Sequence, residues 1–323
     1  MSKDLIYDMA TFGKIRGDDL ELCINMDTIG VLPLRTKFGG KVPIVIDLQD
    51  ANIQDDGTLP VYDQIMISKS DLVIFASRAI KHIAEKQHPK ILKRAVYIPF
   101  GIDLALFDQY YRNADPRLFI ERYALHDRCI LTFTGAAYFW GRREGQGIEK
   151  LLKSFRKVTE AVEQAILVLQ GVATPKTYMW EWLKVKIKQY GVESKTLLLP
   201  STPPHDLERM SLLKASELLL LPIGDVLLTY YAEQQKLFEY MAAQRPIAMV
   251  ATPARLHVLD EKSAFIARRR DPDEFAYTIT EALNNPEEAA MRAARARKIV
   301  EERYDWKTLV HEYAAAVAST LGA

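Results

Sequence analysis

The sequence predicts an α/β protein built on doubly wound parallel sheets. Three observations predict it. Apolar runs at 42–48, 71–76, 129–134, 165–170, 218–221 and 247–250 are continuous rather than alternating, as strands buried on both faces must be. Segments of helical periodicity separate them, joined by short polar loops. At 323 residues the chain has room for two such domains.

In order, residues 1–18 are weakly patterned, with Leu5, Ile6, Met9 and Phe12 at the spacing of a short helix. A strand at 20–25 leads to a helix at 28–38, ended by Gly39-Gly40. The strand 42–48 is followed by a polar turn, a helix at 60–69 and the strand 71–76, after which Ser77 caps a helix. A fourth strand, 95–98, ends at Pro99. Residues 104–128 read as a linker with one or two helices. Beyond them strands at 129–134, 165–170, 196–199, 218–221 and 247–250 alternate with helices at 145–162, 178–190 and 204–213. Helices at 271–284, 286–304 and 306–321 follow, with Pro286 in a first turn. Ligands of such sheets bind at the carboxyl ends of the strands.

Composition narrows the function. The chain has 43 basic and 42 acidic residues, so no overall field draws it to nucleic acid. Cys23 and Cys129 lie in apolar runs and read as buried thiols of a reducing compartment, not a disulfide or metal pair. None of the six histidines is paired at metal-ligand spacing. No apolar run approaches the roughly 20 residues of a membrane span, and no signal-peptide pattern opens the chain. A cytoplasmic location is expected, with peripheral attachment to the inner membrane face as an alternative. The helix bearing Trp180, Trp182 and three lysines either touches a membrane by its basic face or covers the sheet.

The stretch 233–249, EQQKLFEYMAAQRPIAM, organises the rest. It reads as a helix stopped by Pro246 and then a short strand. Leu237, Phe238 and Met241 bury one face; Gln235 and Glu239 lie on the other, with Lys236 beside them. Two readings stand. Glu239 is a solvated partner of Lys236, or it accepts hydrogen bonds from a ribose diol while the first-turn N–H groups hold a phosphate.

The run KLFEYMAAQRPI resembles the KLFEYMA-x-G-x-P-I segment of family 4 retaining glycosyltransferases of the GT-B fold. IPFGID, LLLPSTPPHDLERMSLLKASELLLLP, RDPDEFAYTITEALNN and ERYDWKTLVHEY also resemble segments of that family, and the likeness spans about residues 19–320. The resemblance implies two Rossmann-like doubly wound domains in a GT-B-like arrangement. Residues 1–112 would be a shortened acceptor-side domain, 113–304 the nucleotide-sugar domain, and 305–323 a helix packing back towards the first. It also implies transfer of a sugar from a UDP- or GDP-sugar to a glycan or lipid-linked acceptor of polysaccharide synthesis, with no cofactor and no metal.

Carried onto this sequence, the resemblance gives Glu239 the ribose and places Gly135, Pro222, Glu233, Gln234, Gln235 and Lys236 around the nucleotide sugar. The family's Gly-Arg…Lys-Gly motif is altered: Ala136 follows Gly135, and Gln146-Gly147 replaces Lys-Gly. Arg142 and Arg143 in the same loop either restore charge to the diphosphate or form a solvated basic loop. The first of the family's two glutamates corresponds to Tyr231. Its catalytic-site histidine is matched by a region holding Gln49 and Asp50, where Asp47 or Asp50 either meets an acceptor hydroxyl or ends a strand. On the catalytic side the candidates are thus Gln49, Asp50 and Tyr231. The part before IPFGID is roughly half the family's usual length and leaves about three strands, whose open edge calls for a partner chain or self-association, unless the chain is a truncated gene product. The alternative function follows: a non-catalytic or split subunit that keeps the nucleotide pocket.

Overall fold

The structure, a computed structural model, describes residues 20–203 and 205–321; the short helix expected near Leu5 to Phe12 lies outside them. The chain forms two compact units. Unit 1 runs to Phe100 and adds Tyr231–Glu233 and the chain from Lys307; unit 2 holds Gly101–Tyr230 and Gln234–Trp306.

In unit 1, β1 (Cys23–Met26), α1 (Val31–Phe38), β2 (Ile44–Leu48), α2 (Val61–Lys69), β3 (Leu72–Phe75), α3 (Arg78–Gln87) and β4 (Ala95–Tyr97) alternate. Among the described residues their sheet is wholly parallel in the order β1-β2-β3-β4, one strand for each of the runs 20–25, 42–48, 71–76 and 95–98. Val45, Ile46, Val73 and Phe75 are fully buried, as the continuous apolar runs require. Ser77 caps α3 through the Ile80 amide.

Unit 2 begins with α4 (Leu104–Asn113) and α5 (Pro116–Arg122), the helices expected of a linker. Instead of linking, α5 packs Phe119 with Ile130, Val168 and Leu212 in the core. Then come β5 (Cys129–Thr134), a hairpin of β6 (Phe139–Trp140) and β7 (Arg143–Glu144), α6 (Ile148–Ala161), β8 (Ala165–Gln170), α7 (Tyr178–Gln189), β9 (Thr196–Leu199), α8 (Leu207–Ala215) and β10 (Leu218–Leu221). They are followed by α9 (Leu227–Tyr231), α10 (Gln235–Ala242), β11 (Ile247–Val250), α11 (Pro253–Val258), β12 (Phe265–Ala267), α12 (Pro272–Asn284) and α13 (Pro286–Arg303). The last helix, α14 (Trp306–Ala318), packs Leu309 and Tyr313 against Val45, Leu72, Ile74 and Ile98 of unit 1.

The second sheet is parallel in the order β12-β11-β10-β5-β8-β9. From β5 the chain steps outward through β8 to β9, then returns to the other side of β5 with β10. That reversal opens a crevice at the carboxyl ends of β5 and β10, where such sheets bind ligands. Helix α6 secures one face by burying Leu151, Leu152, Phe155 and Val158, each worth about 1.5–3 kcal/mol. On α7, Leu183 and Ile187 are buried and Trp180 and Trp182 pack on the same core, so this helix covers the sheet.

Among the described residues, no helix is long and apolar enough to cross a membrane. Both cysteines are free and half-buried, and burial pushes both thiols up, Cys129 to about 12.

Candidate functional site

The crevice of unit 2 is built on glycines. Gly135, directly after β5, has φ of +113°, and its amide donates to the Gln170 carbonyl at 3.0 Å. Lys236 lies over it: a Cβ at 135 would stand 2.8 Å from Nζ and 2.9 Å from Cε. Gly147 precedes α6 with φ of +83° and abuts the backbone of Ile223, while Gly224 abuts that of Glu144 and Gly145. These contacts clamp the hairpin loop onto the segment after β10.

Helix α10 starts at Gln235, two residues later than the sequence suggests. Ala232 and Glu233 are buried as part of unit 1, which breaks the helix ahead of Gln234. From Gln235 the apolar face is as expected, with Leu237, Phe238, Tyr240 and Met241 buried. The Tyr240 hydroxyl accepts from the Thr134 amide at 2.8 Å, fixing the end of β5 against the helix.

A polar cluster joins these elements. The Lys236 ammonium donates to Gln146 Oε1 at 2.9 Å and sits 4.2 Å from the centre of the Phe133 ring. Burial, and then the charge of Arg255, pushes it down to about 7. Gln234 donates to the same Gln146 oxygen at 3.1 Å and accepts from Arg255 Nη2 at 2.7 Å. Arg255, on α11, is 1% exposed. It also donates to the carbonyls of Leu221, Pro222 and Val250 at 2.7, 2.7 and 2.9 Å. None of these four acceptors is a carboxylate, and burial lowers the guanidinium to about 9. A group so buried is ordinarily paired with an anion.

Two helix N-termini face this region, and they differ. At α6 the Glu144 carboxylate accepts from the amides of Gln146, Gly147 and Ile148 at 2.7, 2.6 and 2.7 Å. Burial raises this carboxyl, and the three amides oppose that. At α10 no side chain caps the helix. The first-turn donors of α10, beside Lys236, are therefore the ones left for an anion.

Glu239 lies in the same unit. It pairs with Arg209 of α8 rather than with Lys236, as its sequence neighbourhood suggests. The pair is largely buried, and Arg209 Nε has no partner among the described residues. Gly135, Pro222, Gln234, Lys236 and Glu239 are thus brought together in unit 2. Gln235 faces solvent and donates to the Gly101 carbonyl at 2.7 Å. Arg142 and Arg143 stand exposed at the hairpin tip.

The remaining candidates belong to unit 1. Glu233 is 3% exposed; its Oε1 accepts from the Tyr97 hydroxyl at 2.8 Å, and Oε2 has no partner among the described residues. Burial pushes this carboxyl up to about 8. Tyr231 is half-buried, and its carbonyl accepts from the Ser77 hydroxyl. Asp47 accepts from the Tyr313 hydroxyl at 3.0 Å, and burial raises its carboxyl. Gln49 is half-buried; Asp50 is exposed as a residue, and partial desolvation of its carboxyl, then Asp27, raises it. Among the described residues no cluster of His, Cys, Asp or Glu has the geometry to hold a metal ion.

Sequence reasoning missed Arg255, Arg209 and Glu144. The Thr252-Pro253 start of α11 was the available clue to Arg255, since it puts that residue beside the apolar Ala254 and Val258.

Comparison with solved structures places this architecture. The crystal structure of HepE from Anabaena in complex with UDP matches with a TM-score of 0.75 at 14% identity, over 98% of this chain and 81% of that one. The α,α-trehalose 6-phosphate synthase of Burkholderia multivorans matches with a TM-score of 0.81 at 15% identity, over 98% and 76%. The sucrose-phosphate synthase of Thermosynechococcus elongatus matches with a TM-score of 0.69 at 14% identity, over 98% and 76%. No curated protein matches the sequence. At these identities the likenesses describe the fold. The family model for glycosyl transferases group 1 matches residues 137–299, half of the chain and all of the crevice except Gly135. The chain belongs to the glycosyl transferases group 1, and it is a glycosyltransferase of the GT-B fold.

Proposed function

We propose that this chain transfers a sugar, with retention of configuration, from a UDP- or GDP-sugar to a glycan or lipid-linked acceptor in polysaccharide synthesis, as family 4 enzymes do. Unit 2 is the donor half and unit 1, with the C-terminal helix, the acceptor half. The observation that carries this reading is the pair of cations, half-buried Lys236 over Gly135 at the carboxyl end of β5 and buried Arg255 at the ends of β10 and β11, beside the uncapped start of α10. A diphosphate is the ligand such a site suits, and it is the leaving group whose charge grows during transfer.

In this reading Gly135 and Pro222 let the backbone approach the donor, Glu239 takes the ribose, and Arg142 and Arg143 add charge from the hairpin. Gln234 and Gln235 flank the phosphates. Glu233 stays with the nucleotide sugar; Gln49, Asp50 and Tyr231 serve the acceptor side, where Asp50, its carboxyl raised by desolvation, is the group able to exchange a proton with an acceptor hydroxyl. HepE was crystallised with UDP, with UDP-glucose, and with UDP and glucose, which supports a nucleotide-sugar donor and a sugar acceptor for a chain of this fold.

Thermal unfolding of the full chain with UDP, GDP, ADP and their sugars tests the proposal. A ligand at 100 times its dissociation constant adds about 2.7 kcal/mol. A selective shift is expected; no shift with any of them, in a folded chain, overturns it.

A second reading has its own observation. Among the described residues β1 stands at the edge of its sheet, with Ile24 and Met26 about half exposed or more. A partner chain pairing there would make this one subunit of a split enzyme, and activity would then require that partner.

A further inference from the structure

We propose that Arg255 is the positioning residue of the donor phosphate site, holding Lys236 in place through Gln234 and Gln146. The inference rests on the donor-site reading above and adds a residue that the family resemblance does not name.

The geometry is a relay. One edge of the guanidinium fastens β10 to β11 through the carbonyls of Leu221 and Val250. The other edge takes the Pro222 carbonyl and the Gln234 side-chain oxygen. Its acceptors pin both Arg255 and the residue that opens α10. With its oxygen fixed on Arg255, the Gln234 amide has its NH2 turned to Gln146, and the Gln146 oxygen receives both that NH2 and the Lys236 ammonium. The Gln234 amide accepts on one side and donates on the other, and its donation meets that of Lys236 on the Gln146 oxygen. A lysine at 255 has the charge but not the planar fork that meets four acceptors at once.

The absence of a carboxylate among these acceptors matters as much as their number. A carboxylate there would cancel the charge that Lys236 meets. Neutral carbonyls hold the cation and leave its field intact. That field opposes protonation of Lys236, as does Arg209, while Glu239 and Glu144 favour it. Arrival of a diphosphate tips that balance towards the charged ammonium.

The test is binding of UDP and GDP by calorimetry to the full chain, across pH 6–9, for wild type, Arg255→Met, Arg255→Lys, Gln234→Leu, Lys236→Met and the Arg255→Met, Lys236→Met double variant. Circular dichroism of each confirms folding. The expected loss is roughly tenfold for Arg255→Met and Arg255→Lys. Gln234→Leu, which cuts the relay and leaves Arg255 in place, is expected to match them, and it carries the test if the Arg255 variants do not fold. The double variant is expected to bind no worse than Lys236→Met alone. In Arg255→Met the pH midpoint of binding is expected to move upward, which a merely structural role would not cause. Additive losses in the double variant, or full affinity in Gln234→Leu, overturn the relay while leaving the donor site standing. A wild type that binds neither nucleotide overturns both.

Discussion

Lys236 lies directly over Gly135, its ammonium 2.8 Å from the place a Cβ at that residue would take. The glycine leaves the space and the lysine fills it. The φ of +113° at Gly135 makes any L side chain strained there as well. A Gly135→Ala chain is therefore expected to displace Lys236 and to bind nucleoside diphosphate about tenfold more weakly, with a loss of stability of about 1–3 kcal/mol. Calorimetry and urea unfolding of the same variant check the two parts. Unchanged affinity would mean that Lys236 does not touch the ligand.

The pH dependence of stability carries the mark of Glu233. Its carboxyl is raised from 4.5 to about 8, so the folded chain holds a proton there that the unfolded chain has released. Stability from this group is fully present below about pH 4.5 and is lost as pH rises through 8. Glu233→Gln cannot lose that proton. The variant is expected to gain on wild type by about 1 kcal/mol per pH unit across this window, and to level off above it. Urea titrations at pH 5, 6, 7, 8 and 9 read the difference, and parallel curves would place the carboxyl elsewhere.

Arg209 and Glu239 form a largely buried pair, with side chains 12% and 15% exposed. Removing one partner leaves the other charged and uncompensated. Arg209→Met is expected to cost about 3 kcal/mol, and the Arg209→Met, Glu239→Gln double variant to cost less than the sum of the singles. A double-mutant cycle in urea measures the coupling. The same variants speak to the donor site: Glu239→Gln is expected to weaken UDP or GDP while leaving bare diphosphate unaffected.

Gly147 and Gly141 make a controlled comparison. Both have positive φ, +83° and +61°. A Cβ at Gly147 would lie 2.4 Å from the carbonyl carbon of Ile223, whereas nothing lies within 4 Å of one at Gly141. Alanine at 141 is expected to cost about 1–2 kcal/mol, from backbone strain alone. Alanine at 147 is expected to cost more, because the backbone of Ile223 must also move. Equal shifts in melting temperature for the two would mean that the hairpin is not clamped.

The fold was legible because buried parallel strands write themselves as apolar runs: 42–48, 71–76, 129–134, 165–170, 218–221 and 247–250 each contain an observed strand. Helix α10 was legible from Leu237, Phe238 and Met241. Its first turn was not, since Ala232 and Glu233 suit a helix locally and only tertiary burial takes them out of it. The β6–β7 hairpin has two residues per strand, too few for any period to show. In the candidate site, Gln234, Lys236 and Glu239 lie in or beside the KLFEYMA segment, and Gly135 directly follows the apolar run 129–134. Arg255 and Arg209 were not legible. An arginine in a short helix reads as solvated, and nothing local announces that its partners are carbonyls from two distant strands or a carboxylate on another helix.

The backbone passes between the units at Phe100–Gly101, Tyr230–Tyr231, Glu233–Gln234 and Trp306–Lys307. Neither unit is a continuous stretch of gene. A chimera that exchanges unit 1 with that of a relative must swap three separate segments, one of them only three residues long. A cut at any single junction leaves parts of at least one unit on both fragments. Fragments 1–100 and 101–323, expressed together, would each be needed to complete unit 1, because its closing helix and the Tyr231–Glu233 insert travel with the second. Recombination at one crossover thus has no clean boundary to use in this chain, and the two units are inherited as a pair.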